Sequence, residues 1–394
     1  MDTGPGAANG SYPVRERIGL KGGSVELSRA VLQVLPAWVA ARLVVLSALA
    51  LAHAGVTSLR PDNPEAIRRV HDGLLGWDAG WYQAISAHGY VAAGQESLRF
   101  FPLFPLLGRA LGVVPGVGVG AALITVGNLS ALVAMAVLLV LVRRDIGDGG
   151  LARRSVWLLA LAPSAYSLVL AYSDATLLLC SVVTFLAIRS QRWWLAAAAG
   201  LAAGFGRPVG LLLVVPVAAE LWACRRDIGS GKGWIPPGAA LFAPLVGAGA
   251  YLVWVGHRFG DLWLPITVQQ RSGHRGALTV PLGAMWSDLG SAVHGQHLGS
   301  ALHVPWVLGC AALVVVAWRR LPRSYALYAA AVLVVSASST NFDSFERYAL
   351  GAFPLVIAAS TCTTSRRVEV AVLVLSGLAM AGYALLSFVG VVVP

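Results

Sequence analysis

The chain has 394 residues, of which 57% are hydrophobic and only 12% are charged. Soluble domains carry about 25% charged residues, so this composition excludes an ordinary water-soluble fold and indicates a protein whose solvent is lipid. The net charge of +11 lies in small Lys and Arg clusters between apolar stretches. That distribution favours membrane orientation signals, and we expect no nucleic-acid partner.

The predicted elements begin with a polar N-terminal segment. The first fourteen residues lack an apolar run, and residues 1–29 are predicted to form a disordered cytoplasmic tail. Residues 30–394 are predicted to form a single transmembrane domain, in which a spanning helix needs about 20 mostly apolar residues. Eleven segments are candidates, at 31–54, 117–142, 155–172, 175–189, 193–206, 209–224, 235–256, 301–318, 324–340, 348–364 and 368–390. The sequence therefore predicts an all-α polytopic membrane protein with about eleven transmembrane helices.

The basic residues predict the orientation of these helices. Connections on the side of the N-terminus carry 18 Lys and Arg residues, against ten on the other side. The positive-inside rule then places the N-terminus in the cytoplasm. We expect the protein to lie in the plasma membrane. Two long polar connections, 55–116 and 257–300, are predicted to be extracytoplasmic, and all eight His residues lie on or near that face. Any chemistry is therefore expected outside the cytoplasm.

The first predicted outer loop contains the stretch WDAGWYQAISAHGY at 77–90. Trp77, Trp81 and Ile85 recur at a spacing of four, which places them on one helical face, with Asp78 and Tyr82 on a neighbouring polar strip. Trp and Tyr favour the membrane interface, so a helix lying along the membrane surface is predicted. On such a helix, Asp78 is either a solvated charge or a catalytic base held at the membrane face.

Further polar residues lie where predicted spans meet the outside. They are Arg99, Tyr172, Asp174, Arg207, Gln270, Arg275, Arg347 and Tyr348. Ionisable residues at membrane depth are costly and often functional, although at the end of a span each can simply reach water. Several arginines and two aspartates on one side have the layout needed to bind a phosphate and abstract a proton.

The sequence gives little indication of a metal site. The four cysteines lie inside or at the edge of apolar segments, without a CxxC pair. His294 and His297 are three residues apart, but Asp288 is the one carboxylate near them in the sequence. We therefore expect neither a metal nor another cofactor.

These motifs closely resemble those of a known family. The stretch WDAGWYQAISAHGY, followed by RFFPLFPLL, is similar to the signature of the PIG-V-type mannosyltransferases. APSAYSLVLAYSDATLLL, GFGRPVGLLLVVP and ERYALGAFPLVIA resemble the subsequent blocks of that family in the same order, so the resemblance covers about residues 30 to 360. One position departs from it, because the family often has Glu where this chain has Asp174. The charge is kept with a shorter reach.

The resemblance implies a GT-C glycosyltransferase fold whose extracytoplasmic first loop carries interfacial helices and an acidic catalytic residue. Asp78 matches that acidic position. The donor implied is polyprenyl-phosphate mannose, and the acceptor is a hydroxyl of a phosphatidylinositol-mannoside-like glycolipid or of another envelope glycan. Membrane lipid is the remaining partner.

The resemblance and the required chemistry together suggest individual roles. Inversion at the anomeric carbon needs one general base, for which we expect Asp78. Arg207 and Arg347, with Arg99 and Arg275 behind them, are expected to bind the donor phosphate. Contacts with sugar or acceptor are expected from Trp77, Trp81, Tyr82, His88, Tyr172, Asp174, Gln270 and Tyr348.

Three alternatives remain open on the sequence alone. A GT-C enzyme could use another lipid-linked sugar, such as arabinose or galactose. A lipid-linked-sugar transporter or flippase would have pseudo-symmetric halves and charges near the middle of several spans. A non-catalytic partner subunit would not need Asp78.

Overall fold

The computed structural model describes residues 23–59, 63–271, 274–283, 285, 303–340, 342, 344–363 and 365–394. Over these residues the secondary structure is helical. The α-helices are α1 (Gly23–Leu59), α2 (Pro64–Asp72), α3 (Asp78–Ala93), α4 (Leu103–Gly112), α5 (Val119–Asp145), α6 (Gly149–Leu161), α7 (Asp174–Arg189), α8 (Trp193–Gly206), α9 (Val214–Cys224), α10 (Ile235–Phe259), α11 (Leu264–Gln269), α12 (Val304–Arg320), α13 (Arg323–Ala337), α14 (Phe345–Leu350), α15 (Pro354–Cys362) and α16 (Arg366–Phe388). Short 3₁₀ helices occupy Gly73–Leu75, Gln95–Arg99, Pro163–Leu168, Pro208–Leu213 and Gly231–Trp234.

Four helical segments are long and apolar enough, by length and composition, to cross a membrane. They are Val25–Val56, Val119–Asp145, Gly231–Phe259 and Arg366–Phe388. These four segments indicate a multi-pass membrane protein. Helices also cover the other predicted spans, but they are shorter, and the number of eleven transmembrane helices is not confirmed.

A proline interrupts two of the predicted spans, 155–172 and 348–364, and a third proline separates the predicted spans 193–206 and 209–224. Each proline begins a new helix: Pro163 follows α6, Pro208 follows α8, and Pro354 follows α14. Proline lacks the backbone N–H needed inside a helix and disfavours helical geometry in the preceding residue, so an apolar run alone does not give one continuous helix. The interruptions lie close to Asp174, Arg207 and Arg347 along the chain, and so place irregular backbone beside the ionisable residues.

A cluster of charged residues joins the C-terminal ends of α5, α7 and α9. Arg189, at the end of α7, pairs with Asp145 of α5 at 2.6 Å and with Glu220 of α9 at 2.9 Å. The hydroxyl of Tyr325, near the start of α13, donates to Asp145 over 2.8 Å. These helix ends therefore lie together, at the end of α7 that is away from Asp174.

The structure decides which way the polar strip of α3 faces. Tyr82 and Ser86, which follow Asp78 at intervals of four, are only 5% and 2% exposed. The Ser86 hydroxyl donates to the carbonyl of Pro105 over 2.9 Å, which ties α3 to α4. Trp81 on the adjacent face is half-buried. The polar strip therefore faces the protein interior and does not face water.

Candidate active site

Asp78 is the first residue of α3, and its carboxylate lies against Arg347 of α14. Oδ2 accepts a hydrogen bond from Nη1 of Arg347 over 2.8 Å, with side-chain exposures of 27% for the aspartate and 6% for the arginine. Burial raises the pKa of Asp78, but the guanidinium groups of Arg347, Arg99 and Arg207 outweigh burial and hold that pKa below its ordinary value. Asp78 is therefore ionised at neutral pH while it keeps one side open to a ligand.

Strained backbone precedes both members of this pair. Trp77, immediately before Asp78, has φ 57° and ψ −126°, and Ser344, at the start of α14, has φ 64°. Residues with a side chain rarely adopt such positive φ values, and the surrounding structure must stabilise them. For Trp77 it does, because its indole N–H donates to the carbonyl of Ser387 over 3.1 Å and the guanidinium of Arg69 lies 3.7 Å from its ring centroid. Trp77 therefore fixes the start of α3 and the position of the Asp78 carboxylate.

A second acid–base pair lies nearby. Nη1 of Arg207 is 2.7 Å from Oδ1 of Asp174, the first residue of α7. The same Nη1 donates to the Ser173 hydroxyl over 3.4 Å, and that hydroxyl lies 2.6 Å from the phenol oxygen of Tyr82 on α3. Arg207, Asp174 and Tyr82 thus share one connected polar group.

The ring of Tyr348 brings three arginines together. The guanidinium carbons of Arg275, Arg207 and Arg347 lie 4.5, 5.3 and 5.3 Å from its centroid. Guanidinium groups stack favourably on aromatic faces, which keeps their N–H groups available for another partner. Arg275 is further held by hydrogen bonds of 3.2 and 2.8 Å to the Ser339 hydroxyl. Positive charge is thereby concentrated around one tyrosine.

A cleft opens beside these groups, with about 320 Å³ of empty space that includes open solvent at its mouth. We call it the first cavity; its lining residues are Leu168, Asp174, Leu177, Leu178, Arg207, Val209, Arg347, Tyr348, Leu350 and Gly351. Among the described residues, Oδ2 of Asp174 and Nε of Arg347 are buried without a hydrogen-bond partner. Unpaired buried polar atoms are costly, and these two atoms are therefore candidates for contacts with a polar ligand. The first cavity thus combines two guanidinium groups with an apolar wall.

Arg99 takes part in a contact between the two outer loops. Its Nη1 donates to Nδ1 of His274 over 2.9 Å, and Nε2 of His274 in turn donates to Glu96 over 2.6 Å. An arginine can only donate, which assigns the tautomer of His274 with its proton on Nε2. The hydrogen bond from His274 and the charge of Arg271 outweigh desolvation and hold the pKa of Glu96 below its ordinary value. This contact fixes Arg99 at the edge of the site.

Some residues predicted for the site lie outside the group just described. His88 is exposed on α3, and Gln270 follows α11 without a side-chain hydrogen bond to any described residue. Trp81 lies against Phe100, with ring centroids 6.1 Å apart, and has the guanidinium of Arg99 5.9 Å from its own ring. Tyr172 is buried with Arg347 5.1 Å from its ring, and so belongs to the group.

The sequence pattern did not indicate the partnership of Glu96 with His274, which are 178 positions apart. Their shared location in predicted outer loops was the one available signal. No group of three or more potential metal ligands among His, Cys, Asp and Glu lies together in the described part of the chain. His294, His297 and Asp288 lie outside the described residues.

No protein-family model matches the chain, and no curated protein sequence matches it either. Several solved structures are similar to it. ArnT from Cupriavidus metallidurans, solved bound to undecaprenyl phosphate, shares 15% identity over 80% of this chain and 72% of its own, with a TM-score of 0.49. An oligosaccharyltransferase from Archaeoglobus fulgidus, tethered with an acceptor peptide, shares 14% identity over 89% of this chain and 56% of its own, with a TM-score of 0.42. The chain thus spans little more than half of that protein. Both TM-scores are below 0.5, and the proposal below rests on the residues of the site instead.

Proposed function

We propose that this protein is an integral-membrane, inverting GT-C glycosyltransferase. It moves mannose from polyprenyl-phosphate mannose to a hydroxyl of a phosphatidylinositol-mannoside-like glycolipid, or of another envelope acceptor, and forms an α-mannoside on the extracytoplasmic face. The observation that carries the proposal is the Asp78–Arg347 pair at 2.8 Å, beside a cavity that combines guanidinium groups with leucine side chains. The resemblance of the sequence motifs to the PIG-V-type family supports mannose as the sugar.

Asp78 acts as the general base. The acceptor oxygen forms a bond to the anomeric carbon as its proton passes to the Asp78 carboxylate, while the bond from that carbon to the phosphate oxygen breaks. One carboxylate suffices, because a single displacement inverts the β-linked donor to an α-mannoside without a covalent enzyme intermediate. The ionised state of Asp78 and its 27% exposure meet the two requirements of a base, a free lone pair and access to the acceptor.

The arginines stabilise the leaving phosphate. The phosphate takes the electron pair of the broken bond, and guanidinium groups bind such an oxyanion through two parallel N–H donors. Arg347 has a buried Nε without a partner, and Arg207 lines the same cavity. We expect these arginines to supply the positive charge without a metal cofactor. Leu168, Leu177 and Leu178 offer an apolar wall for the first part of the prenyl chain.

The test compares Asp78→Asn with wild type in nanodiscs. Purified full-length protein receives radiolabelled polyprenyl-phosphate mannose and a total envelope lipid extract, and labelled product is separated from donor. General-base catalysis contributes about 10²- to 10⁴-fold, so we expect at least about a hundredfold loss of transfer in Asp78→Asn.

Asp72→Asn is the matched control, because it makes the same chemical change at an exposed residue of α2 and should transfer like wild type. Equal transfer by Asp78→Asn and wild type contradicts the role of Asp78. In sealed proteoliposomes, movement of labelled donor across the bilayer without formation of a glycoside would instead show a transporter.

A further inference from the structure

A second cleft, which we call the second cavity, lies on another side of Arg347, with about 210 Å³ of empty space that includes open solvent at its mouth. Its lining residues are Ser164, Tyr166, Ser344, Glu346, Arg347, Tyr383, Val392, Val393 and Pro394. Arg347 is the one lining residue that this second cavity shares with the first cavity. Because Asp78 is hydrogen bonded to Arg347, ligands in the two cavities would meet at the Asp78–Arg347 pair.

The second cavity differs from the first in charge. The first cavity has two guanidinium groups against one carboxylate, whereas the second has one guanidinium, Arg347, balanced by the carboxylate of Glu346. An additional anion in the second cavity would lie close to that carboxylate, which is only 7% exposed and poorly screened. The charge balance therefore disfavours a phosphate there and favours an uncharged ligand.

The lining chemistry of the second cavity is that of a site for hydroxyl groups. Two serine hydroxyls and two phenols line it beside the Glu346 carboxylate, and all of them accept hydrogen bonds. The carboxylate is held in place, because Nδ1 of His303 lies 2.6 Å from Oε1 of Glu346. Tyr383 is fixed as well, since its hydroxyl accepts the indole N–H of Trp306 over 2.9 Å. A prearranged set of this kind binds a polyhydroxylated ring with little loss of side-chain freedom.

The second cavity is bordered by α16, the helix to which Trp77, next to Asp78, is anchored. Trp77 hydrogen bonds to the carbonyl of Ser387 near the end of α16, and the residues after that helix form one wall of the cavity. The base is thus anchored to the same helix that borders the second cavity. We propose, resting on the function proposed above, that the second cavity binds an uncharged polyhydroxylated headgroup of the acceptor, a sugar or cyclitol ring, through Glu346 and Tyr383, while the first cavity takes the donor phosphate.

The experiment measures KM separately for donor and acceptor in Glu346→Gln. The probes are polyprenyl-phosphate mannose and the envelope lipid extract, each varied while the other saturates. A hydrogen bond to a charged group contributes enough that its loss raises KM for the extract at least about tenfold, with KM for the donor within about twofold of wild type. Glu369→Gln makes the same change at a buried glutamate near the start of α16 and should behave as wild type.

Tyr383→Phe provides a second variant, which keeps the ring and removes the hydroxyl, in case Glu346→Gln does not fold. A rise in donor KM as large as the rise in acceptor KM, or no change in either, overturns the assignment of the second cavity. Saturation-transfer NMR measures the binding of methyl α-mannoside or myo-inositol to the same proteins. It needs no mannose transfer, so a failure of the second-cavity assignment can be told apart from a failure of the proposed reaction. Glu346-dependent binding of either compound supports the assignment, and Glu346-independent binding or no binding overturns it.

Discussion

Replacing Arg347 by methionine tests how the base and the phosphate site depend on each other. Methionine preserves most of the side-chain length but removes the charge and the 2.8 Å hydrogen bond to Asp78. Breaking a buried ion pair costs about 3–5 kcal/mol, and because Asp78 keeps 27% exposure we expect about 3 kcal/mol of lost stability. Loss of one donor to a developing oxyanion lowers kcat by about 10²- to 10³-fold.

The same variant changes the pH dependence of the reaction. Asp78 acts in its ionised form, so activity falls as the pH decreases through its pKa. Burial raises the pKa of Asp78, and Arg347, then Arg99, then Arg207 counteract that effect. Without Arg347 the pKa of Asp78 rises, and the acid limb of kcat/KM moves to higher pH. Arg99→Met should move it in the same direction by a smaller amount.

The assay is the initial rate of mannose transfer in nanodiscs between about pH 4.5 and 9, analysed as kcat/KM, which reports the free enzyme. Arg109→Met, which removes an arginine of α4 bonded only to backbone carbonyls, serves as the control and should keep the wild-type profile. If Arg347→Met lowers the rate and leaves the acid limb where it is in wild type, Arg347 does not control the protonation of Asp78. The electrostatic reasoning would then be refuted.

Three further predictions concern the scaffold of the site. Asp174→Asn leaves a buried guanidinium without its carboxylate and should lower the free energy of unfolding by about 3–5 kcal/mol, seen as a lower Tm; an unchanged Tm would contradict the pairing. Gly204→Ala places a Cβ against the backbone of Pro244 in α10 and should also lower Tm, whereas Gly238→Ala, with open space around it, should not. Glu96→Gln should weaken the contact between the outer loops and speed proteolysis of 257–285. Wild type should show the same change as pH falls through the lowered pKa of Glu96, and equal proteolysis of wild type and variant at neutral pH would argue against this.

The sequence predicted the positions of the helices well where composition decides them. The segment predicted at 193–206 is α8 with the same bounds, and 175–189 differs from α7 by one residue at its start. Gly, Pro or Arg at the ends of an apolar run predict where the helix begins and ends. Between them the helix is continuous, because the lipid requires backbone hydrogen bonding throughout a span. The predicted spans 155–172 and 348–364 are divided near Pro163 and Pro354, whereas α1 and α10 continue through Pro36 and Pro244, so an internal proline alone did not predict where a span breaks.

For α3, periodicity decides which residues share a face, and tertiary packing decides which face is buried. A spacing of four correctly placed Asp78 and Tyr82 on one strip, since that follows from helix geometry alone. Whether the strip meets water or protein depends on α4 and on the residues just before α7, which lie beside it. The hydroxyl of Ser173 beside Tyr82 and the carbonyl of Pro105 beside Ser86 provide the polar partners that make burial of the strip favourable.

The sequence by itself determined that this protein belongs in a membrane, where its helices run, and that Asp174, Arg207 and Arg347 lie at or near helix ends. Hydropathy and charge settle these properties, because they depend on each segment and its flanking residues. Only the tertiary structure decided that Asp78 pairs with Arg347, 269 positions away, and Asp174 with Arg207. It also decided that two cavities of unlike charge meet at Arg347, because pairing across such distances depends on how the broken helices pack and on the strained turns at Trp77 and Ser344.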